Sequence, residues 1–359
     1  MPTFKALWKP LAVDDSFQRS SHGLAVHGGK AYAFGGELKP RTPVDAAVTV
    51  LDLAVASPRS LAPPSTASTA WPTSRVGHTF VSSDDGEIWC WGGRGGKDMS
   101  SFSDEGSIWV FDTETQSWEE LKTKGDEPEP RSFHTMTALD NKLYLHAGCP
   151  ASGRLSQLHC LDLSTLTWSS LPAAPEPGRG GTALTALPSA ALGGKKLLAR
   201  FGGFAGYELG GLDVFDVEKE EWAAVEPSVE GGGEGPAKRS VHVFVGLEGT
   251  LEVEGKRAVA VLAMGEREAA PKELGHDGAG FFHSDAWLLL ASPPSSSDGS
   301  LPSFSWLRLD RSSASQGHPE ACGWLASAPA GGNKVVLHGG LNEDNERLAD
   351  GWVLEIVVE

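Results

Sequence analysis

"RSSHGLAVHGGKAYAFGGE", Arg19 to Glu37, contains two short apolar runs joined by Gly28-Gly29, with a second glycine pair, Gly35-Gly36, closing the unit. Two apolar runs joined by a tight glycine turn read as a β-hairpin. The unit opens on arginine and ends on Gly-Gly, and both marks return along the chain. "RVGHTF" begins at Arg75 and "RSFHTM" at Arg131, so the openings at 19, 75 and 131 lie 56 residues apart each time. The series continues with "RGGTAL" from Arg179 and "RSVHVF" from Arg239, and "CGWLAS" from Cys322 is a sixth opening without its arginine. Each leads to a second apolar run ending in a glycine pair or its remnant: "YAFGGE", "WCWGGR", "LHAGCP", "ARFGGF", "LAMGER" and "VLHGGL".

A third strand follows in "SIWVFD", "QLHCLD", "GLDVFD" and "SDAWLL", and a fourth, carrying tryptophan, in "QSWEEL", "LTWSSL", "EEWAAV" and "FSWLRL". Four strands per repeat, Gly-Gly after the second and Trp in the fourth, describe the kelch blade of a β-propeller. The glycines allow close turns near the axis, and the tryptophan is expected to pack between blades. Six blades are expected, opening near 19, 75, 131, 179, 239 and 322, in one all-β domain spanning 1–359. The sixth has only three strands before the chain ends. "FKALWKPL" supplies the fourth, so strand 3–11 is expected to complete the last blade and close the ring. Long loops are expected at "TPVDAA", "PPSTASTAWPTS", "EGGGEGPAK" and "ASPPSSSDGSLPS", all rich in turn residues.

Composition agrees with that reading. Gly (44) and Pro (23) are abundant, hydrophobic residues make up 40%, and twelve tryptophans outnumber three tyrosines. The formal charge of −17 argues against nucleic-acid or anionic-membrane partners, which need a basic face. Cys90, Cys149, Cys160 and Cys322 form neither a CxxC pair nor a secretory framework. No apolar run approaches membrane-spanning length, and the N-terminus lacks a signal-type core. A reduced, cytoplasmic protein is the expectation.

In a blade, the start of strand one and the end of strand two lie at the same end, because the strands are antiparallel. Arg19, Arg75, Arg131, Arg179 and Arg239 are therefore expected to form a ring around one channel mouth. Glu37, Arg94, Cys149, Phe204 and Glu266, each following a second strand, share that rim. Such a ring needs neighbouring carboxylates or an anionic ligand. His22, His78, His134 and His242 are expected to bond structurally to backbone carbonyls of neighbouring blades. Cys149 reads either as a reactive thiol or as a buried blade residue.

Beyond the repeat, "SSHGLAVHGGKAYAFGGELKPRTPVD", "WCWGGRGG", "PRSFHTMTAL", "ASGRLSQLHCLDL", "GRGGTAL" and "HGGLNEDNERLADGW" occur in an order that resembles the specifier proteins of plant glucosinolate breakdown and their fungal kelch relatives. That resemblance covers nearly the whole chain. It implies a ferrous ion held by Glu, Asp and His spaced E-x3-D-x3-H, and two arginines that hold a sulfated substrate. Arg94 and Arg154 match those arginines, and His276, before "GAG", matches the metal histidine. Glu266 takes the glutamate's place counting from the glycine, but Ala270 and Leu274 then stand at the other two positions. Counting back from His276, Glu268 is eight residues before it and Lys272 stands at the aspartate position. The implied set is therefore Glu266, Glu268 and His276, as Fe(II) ligands or acid/base groups, with the middle aspartate absent. Arg94 and Arg154 bind substrate in this reading, with Glu37 beside them and Phe204, together with Trp91, as apolar walls.

Two classes of function remain. One is a lyase- or isomerase-type, specifier-like protein that binds an anionic small molecule at the mouth and directs its rearrangement or elimination. The other is a non-catalytic scaffold for a protein partner, although no BTB, F-box or coiled-coil segment accompanies the propeller. Copper-radical chemistry finds no Tyr/Cys/His grouping, and no GxSxG turn supports a serine hydrolase.

Overall fold

In the computed structural model, residues 3–11, 15–55, 57–65, 70–83, 85–271, 273, 278–292, 300–310 and 317–359 are described. They form six antiparallel four-stranded sheets, two of them extended by short extra strands. Blade 1 runs Gly23–His27, Lys30–Phe34, Val48–Asp52 and Ser57–Leu61; blade 2 runs Thr79–Ser82, Glu87–Trp91, Ser107–Asp112 and Ser117–Lys122. Blade 3 is Thr135–Leu139, Lys142–His146, Leu158–Asp162 and Thr167–Leu171; blade 4 is Ala183–Ala186, Leu197–Phe201, Leu212–Asp216 and Glu221–Val225. Blade 5 comprises Val243–Gly246, Lys256–Ala263, Ala286–Ser292 and Ser303–Arg308. Blade 6 takes Ala326–Pro329, Lys334–His338 and Gly351–Val358 from the C-terminal part, and its outer strand is Phe4–Leu11, paired Phe4 to Val358 through Leu11 to Gly351. The closure expected from Trp8 is the one observed. Among the described residues no helix is long and apolar enough to cross a membrane.

Apolar side chains fill the spaces between blades. In blades 2 to 5 the fourth-strand tryptophan reaches back to the residue ending the second strand of the preceding blade. Trp118 lies 5.1 Å from Phe34, Trp168 6.2 Å from Trp91, Trp222 5.5 Å from His146 and Trp306 5.7 Å from Phe201, centroid to centroid. The partner residue immediately precedes the glycine pair, so two sequence marks of the repeat are two sides of one contact. Burying such a ring contributes on the order of 2–3 kcal/mol.

The second glycine, or its counterpart, donates its N–H to the carbonyl that opens the next blade. The six bonds are Gly36 to Arg75, Gly93 to Arg131, Gly148 to Arg179, Gly203 to Arg239, Gly265 to Cys322 and Gly340 to Arg19, at 2.8–3.0 Å. Cys322 thus occupies the sixth opening in register. Gly36, at φ +91°, shows why glycine is needed: an added Cβ would sit 2.7 Å from the Ser20 carbonyl oxygen and 2.8 Å from His22 Cβ.

The opening arginines correct the expected ring. Arg19, Arg75, Arg131, Arg179 and Arg239 are buried, and their guanidinium groups turn into their own blades. Nη1 donates to the carbonyls of Gly35, Gly92, Ala147, Gly202 and Met264 respectively, at 2.9–3.3 Å. Arg75 is also paired with Asp104 and Arg239 with Asp285. Buried guanidinium groups need carbonyl or carboxylate partners, and the ends of the second strands provide them. The histidines are buried as expected, and His78 and His134 bond to the backbone of Phe34 and Trp91 in the neighbouring blade, with side-chain partners besides. His22 Nε2 meets His338 Nδ1 at 2.9 Å and His134 Nε2 meets Thr79 Oγ1 at 3.1 Å, while His78 and His242 stand edge-on to Phe34 and Phe201.

Candidate functional site

At the mouth, the residue after each second strand bridges back to the residue after each opening: Ser20 with Glu37, Val76 with Arg94, Ser132 with Cys149, Gly180 with Phe204, Ser240 with Glu266 and Gly323 with Leu341. One backbone device, repeated six times, aims Glu37, Arg94, Cys149, Phe204, Glu266 and Leu341 at a common pocket of about 390 Å³. Short hairpins begin at three of these positions, Glu37–Lys39, Arg94–Gly95 and Glu266–Glu268, and stiffen the rim.

The floor is a ring of backbone. Ser21 N–H bonds to Trp324 O, Gly77 to Ser21, Phe133 to Gly77, Gly181 to Phe133, Val241 to Gly181 and Trp324 to Val241, at 2.7–3.0 Å. All six residues lie in the left-handed region, with φ between +45° and +62°. That conformation is costly for Phe133 and Trp324 and more so for β-branched Val241. The hydrogen-bonded circle holds them there, and their side chains give the pocket an apolar base.

Polar groups fall on two sides. Arg94 and Arg154 line the pocket from blades 2 and 3, stacked over Phe133 and Phe204 with 4.8 Å from guanidinium carbon to ring centroid in each case. Among the described residues neither makes an ion pair. Burial lowers the Arg94 pKa, partly offset by Glu37. Cys149 lies between them, half-buried, and burial raises its thiol against the pull of Arg154 and Arg94. It is a pocket residue and not a core one.

Glu266, from blade 5, is 5% exposed. Burial, and then the charge of Glu208, push its carboxyl up to about 8. Glu208 stands behind it, raised to about 7 by burial and only partly held down by the Ser240 hydroxyl; neither of its oxygens makes a well-formed hydrogen bond. Glu37 is different, because Arg347 Nη2 pairs with it at 3.2 Å and Arg41 N–H caps it at 2.9 Å.

Five expected site residues therefore share one pocket: Arg94, Arg154, Glu37, Phe204 and Glu266. Glu268 is exposed and off the lining, and His276 lies outside the described residues. Trp91, offered as a wall, is instead buried in the blade 2 core against Trp168, and Phe133 and Trp324 do that work. Sequence reasoning missed Arg347 and Glu208. Both sit in loops after a second strand and bridge back to the rim residue, Leu341 to Arg347 and Phe204 to Glu208. A search of each loop four to six residues beyond the rim position would have found them.

A closed ring of six glycine-punctuated blades with a polar mouth defines a kelch-repeat propeller, and the comparisons agree. The chain belongs to the kelch-repeat family: residues 21–255 match the KLHDC2/KLHL20/DRC7 Kelch-repeats domain. It is 28% identical over 355 residues to N-(sulfonatooxy)prop-2-enimidothioate sulfolyase of Thlaspi arvense, covering 92% of this chain and 90% of that protein. It is 30% identical over 235 residues to acyl-CoA-binding domain-containing protein 5 of Arabidopsis thaliana, covering 63% of this chain but 34% of the relative. Among solved structures, YjhT superposes with a TM-score of 0.64 at 15% identity, over 97% of this chain and 99% of that one, a likeness of fold.

Proposed function

We propose that the mouth pocket binds an anionic small molecule through Arg94 and Arg154 and directs its elimination or rearrangement, as a specifier-like protein. The observation that carries this reading is the arginine pair itself: two cations in one pocket, without an ion pair among the described residues and each held over an aromatic ring, Phe133 and Phe204. A guanidinium placed in this way can offer its N–H groups for bidentate contact with a sulfate, sulfonate or carboxylate. When such a group departs, negative charge grows on its oxygens, and cations already fixed in place stabilise that charge without reorganisation. Phe133, Val241 and Trp324 exclude water from the body of the ligand and hold it in one conformer. The Thlaspi arvense relative, named a sulfolyase on a sulfonatooxy compound, supports the same substrate class.

An iron ion implied by the resemblance needs several donors. Among the described residues Glu266 alone of the implied set faces the pocket, and no group of three His, Cys, Asp or Glu is placed to hold a metal.

The test is calorimetric titration of propane-1-sulfonate into wild type, Arg94→Ala and Arg154→Ala. Each substitution should weaken binding at least ~10-fold while shifting the thermal midpoint by only a few degrees, because neither arginine holds an ion pair. Equal affinity in wild type and both variants would remove the arginines from the function.

A further inference from the structure

The pocket sets two arginines and an unpartnered carboxyl on separate walls. Arg94 and Arg154 stand on blades 2 and 3, while Glu266 stands on blade 5, across the six-membered ring from blade 2. Between them lies the apolar floor of Phe133, Val241 and Trp324. The two walls do not satisfy each other, since no ion pair joins them among the described residues.

Glu266 is the more demanding group. Its side chain is 95% removed from solvent (5% exposed) and lines the pocket, yet no described residue donates a hydrogen bond to its carboxylate. Gly280 packs directly against that carboxylate, leaving no room for a Cβ. Glu208 behind it adds a second acceptor without a well-formed partner. Buried acceptors are nearly always satisfied, and one left open in a pocket marks where a ligand atom belongs. Glu37, on the same rim, has both Arg347 and the Arg41 N–H, so the open valence is particular to Glu266. An anion without a donor group would satisfy the arginines and leave Glu266 without a partner.

We propose that the pocket takes an amphoteric small molecule, with an anionic group held by Arg94 and Arg154 and a protonated amine, or an equally strong hydrogen-bond donor, received by Glu266 across the apolar floor. This deepens the anion-binding reading above and rests on it. It also makes Glu266 the residue that determines specificity.

The test uses matched probes in EDTA-containing buffer: ω-aminoalkanesulfonates of about three to six carbons, each against the alkanesulfonate of the same length. Calorimetry on wild type should show at least one amino probe binding ~10-fold tighter than its partner. In Glu266→Gln, that pair should bind within about twofold of each other, whereas Glu268→Gln, altered at an exposed position off the lining, should keep the preference. Alkanesulfonates that bind wild type with no gain from the amine at any length overturn this inference and leave the anion reading intact. A preference that survives in Glu266→Gln overturns the assignment to Glu266. If no sulfonate of either series binds, both readings fall together.

Discussion

Acid should destabilise this propeller above the pH at which ordinary carboxylates are protonated, because it buries neutral histidines. His22, His78, His134, His146, His159, His242 and His338 are all buried. Burial pushes each down, His134 and His338 to about 3, with Arg131 and Arg19 adding to the effect, and His159 to about 4; the other four fall well below the usual imidazole range. In the unfolded chain each returns to a pKa of about 6.5. Falling pH therefore protonates the unfolded state and leaves the native imidazoles neutral. The contribution is fully present above the unfolded pKa and is lost as pH falls toward the folded one. At pH 5 the loss is set almost entirely by the unfolded chain, about 2 kcal/mol per histidine and about 13 kcal/mol for the seven relative to pH 7. Glu208 and Glu266 act oppositely: their raised folded pKa values favour the native state as pH falls, returning about 5 kcal/mol over the same interval. The net loss, about 8 kcal/mol, compares with a total stability of roughly 5–15 kcal/mol for ordinary domains. Urea unfolding followed by tryptophan fluorescence at pH 7 and pH 5, in EDTA, measures it. His134→Asn removes one titrating group and should shrink the loss by about 2 kcal/mol. A wild-type loss below about 2 kcal/mol would show that the folded histidines take up protons freely and that the inner faces of the blades are not the low-dielectric environment argued here.

Further outcomes follow from single contacts. Glu266→Gln should stabilise metal-free protein by about 3 kcal/mol at pH 7, because the native carboxyl resists the charge that its unfolded counterpart carries; the gain should fade below pH 5, and no gain at pH 7 would refute the burial argument. Trp118→Ala should cost about 3–5 kcal/mol by chemical denaturation, since its ring fills the space between Phe34 and Phe111; a cost under about 1 kcal/mol would contradict that packing. Gly36→Ala and Gly29→Ala both face positive φ, but only Gly36 lacks space. Gly29→Ala should cost about 1 kcal/mol and Gly36→Ala several times more, and equal thermal midpoints would refute the close-approach argument.

The blades were legible because their marks are local and repeated. The Gly-Gly pair and the fourth-strand tryptophan are two halves of one inter-blade contact, so each predicts the other. The rim was legible too: antiparallel pairing obliges Glu37, Arg94 and Glu266 to share an end with the openings. The destination of the opening arginines was not. Whether Arg75 faces the channel or its own blade depends on a carbonyl 17 residues on and an aspartate 29 residues on, and no periodic pattern encodes those partners. Arg347 escaped for a similar reason, since its ion pair with Glu37 spans 310 residues. Glu208 lies four residues beyond the rim position, within reach of a loop search, but its importance comes from a missing partner, which only three-dimensional surroundings reveal.

Blade 6 couples the pocket to the order of synthesis. Its sheet joins Phe4–Leu11 to Gly351–Val358, and the floor circle needs Trp324 to join Val241 to Ser21. Five finished blades therefore still leave the circle broken, with Ser21 and Val241 each missing a neighbour. A nascent chain emerging from the ribosome has Arg94, Arg154 and Glu266 exposed long before it has a site, and ligand cannot act as a template for the early blades. Ligand capture and completion of the ring become a single late event, and any truncation that removes the Gly351–Val358 strand should silence a pocket built almost entirely from residues that precede it.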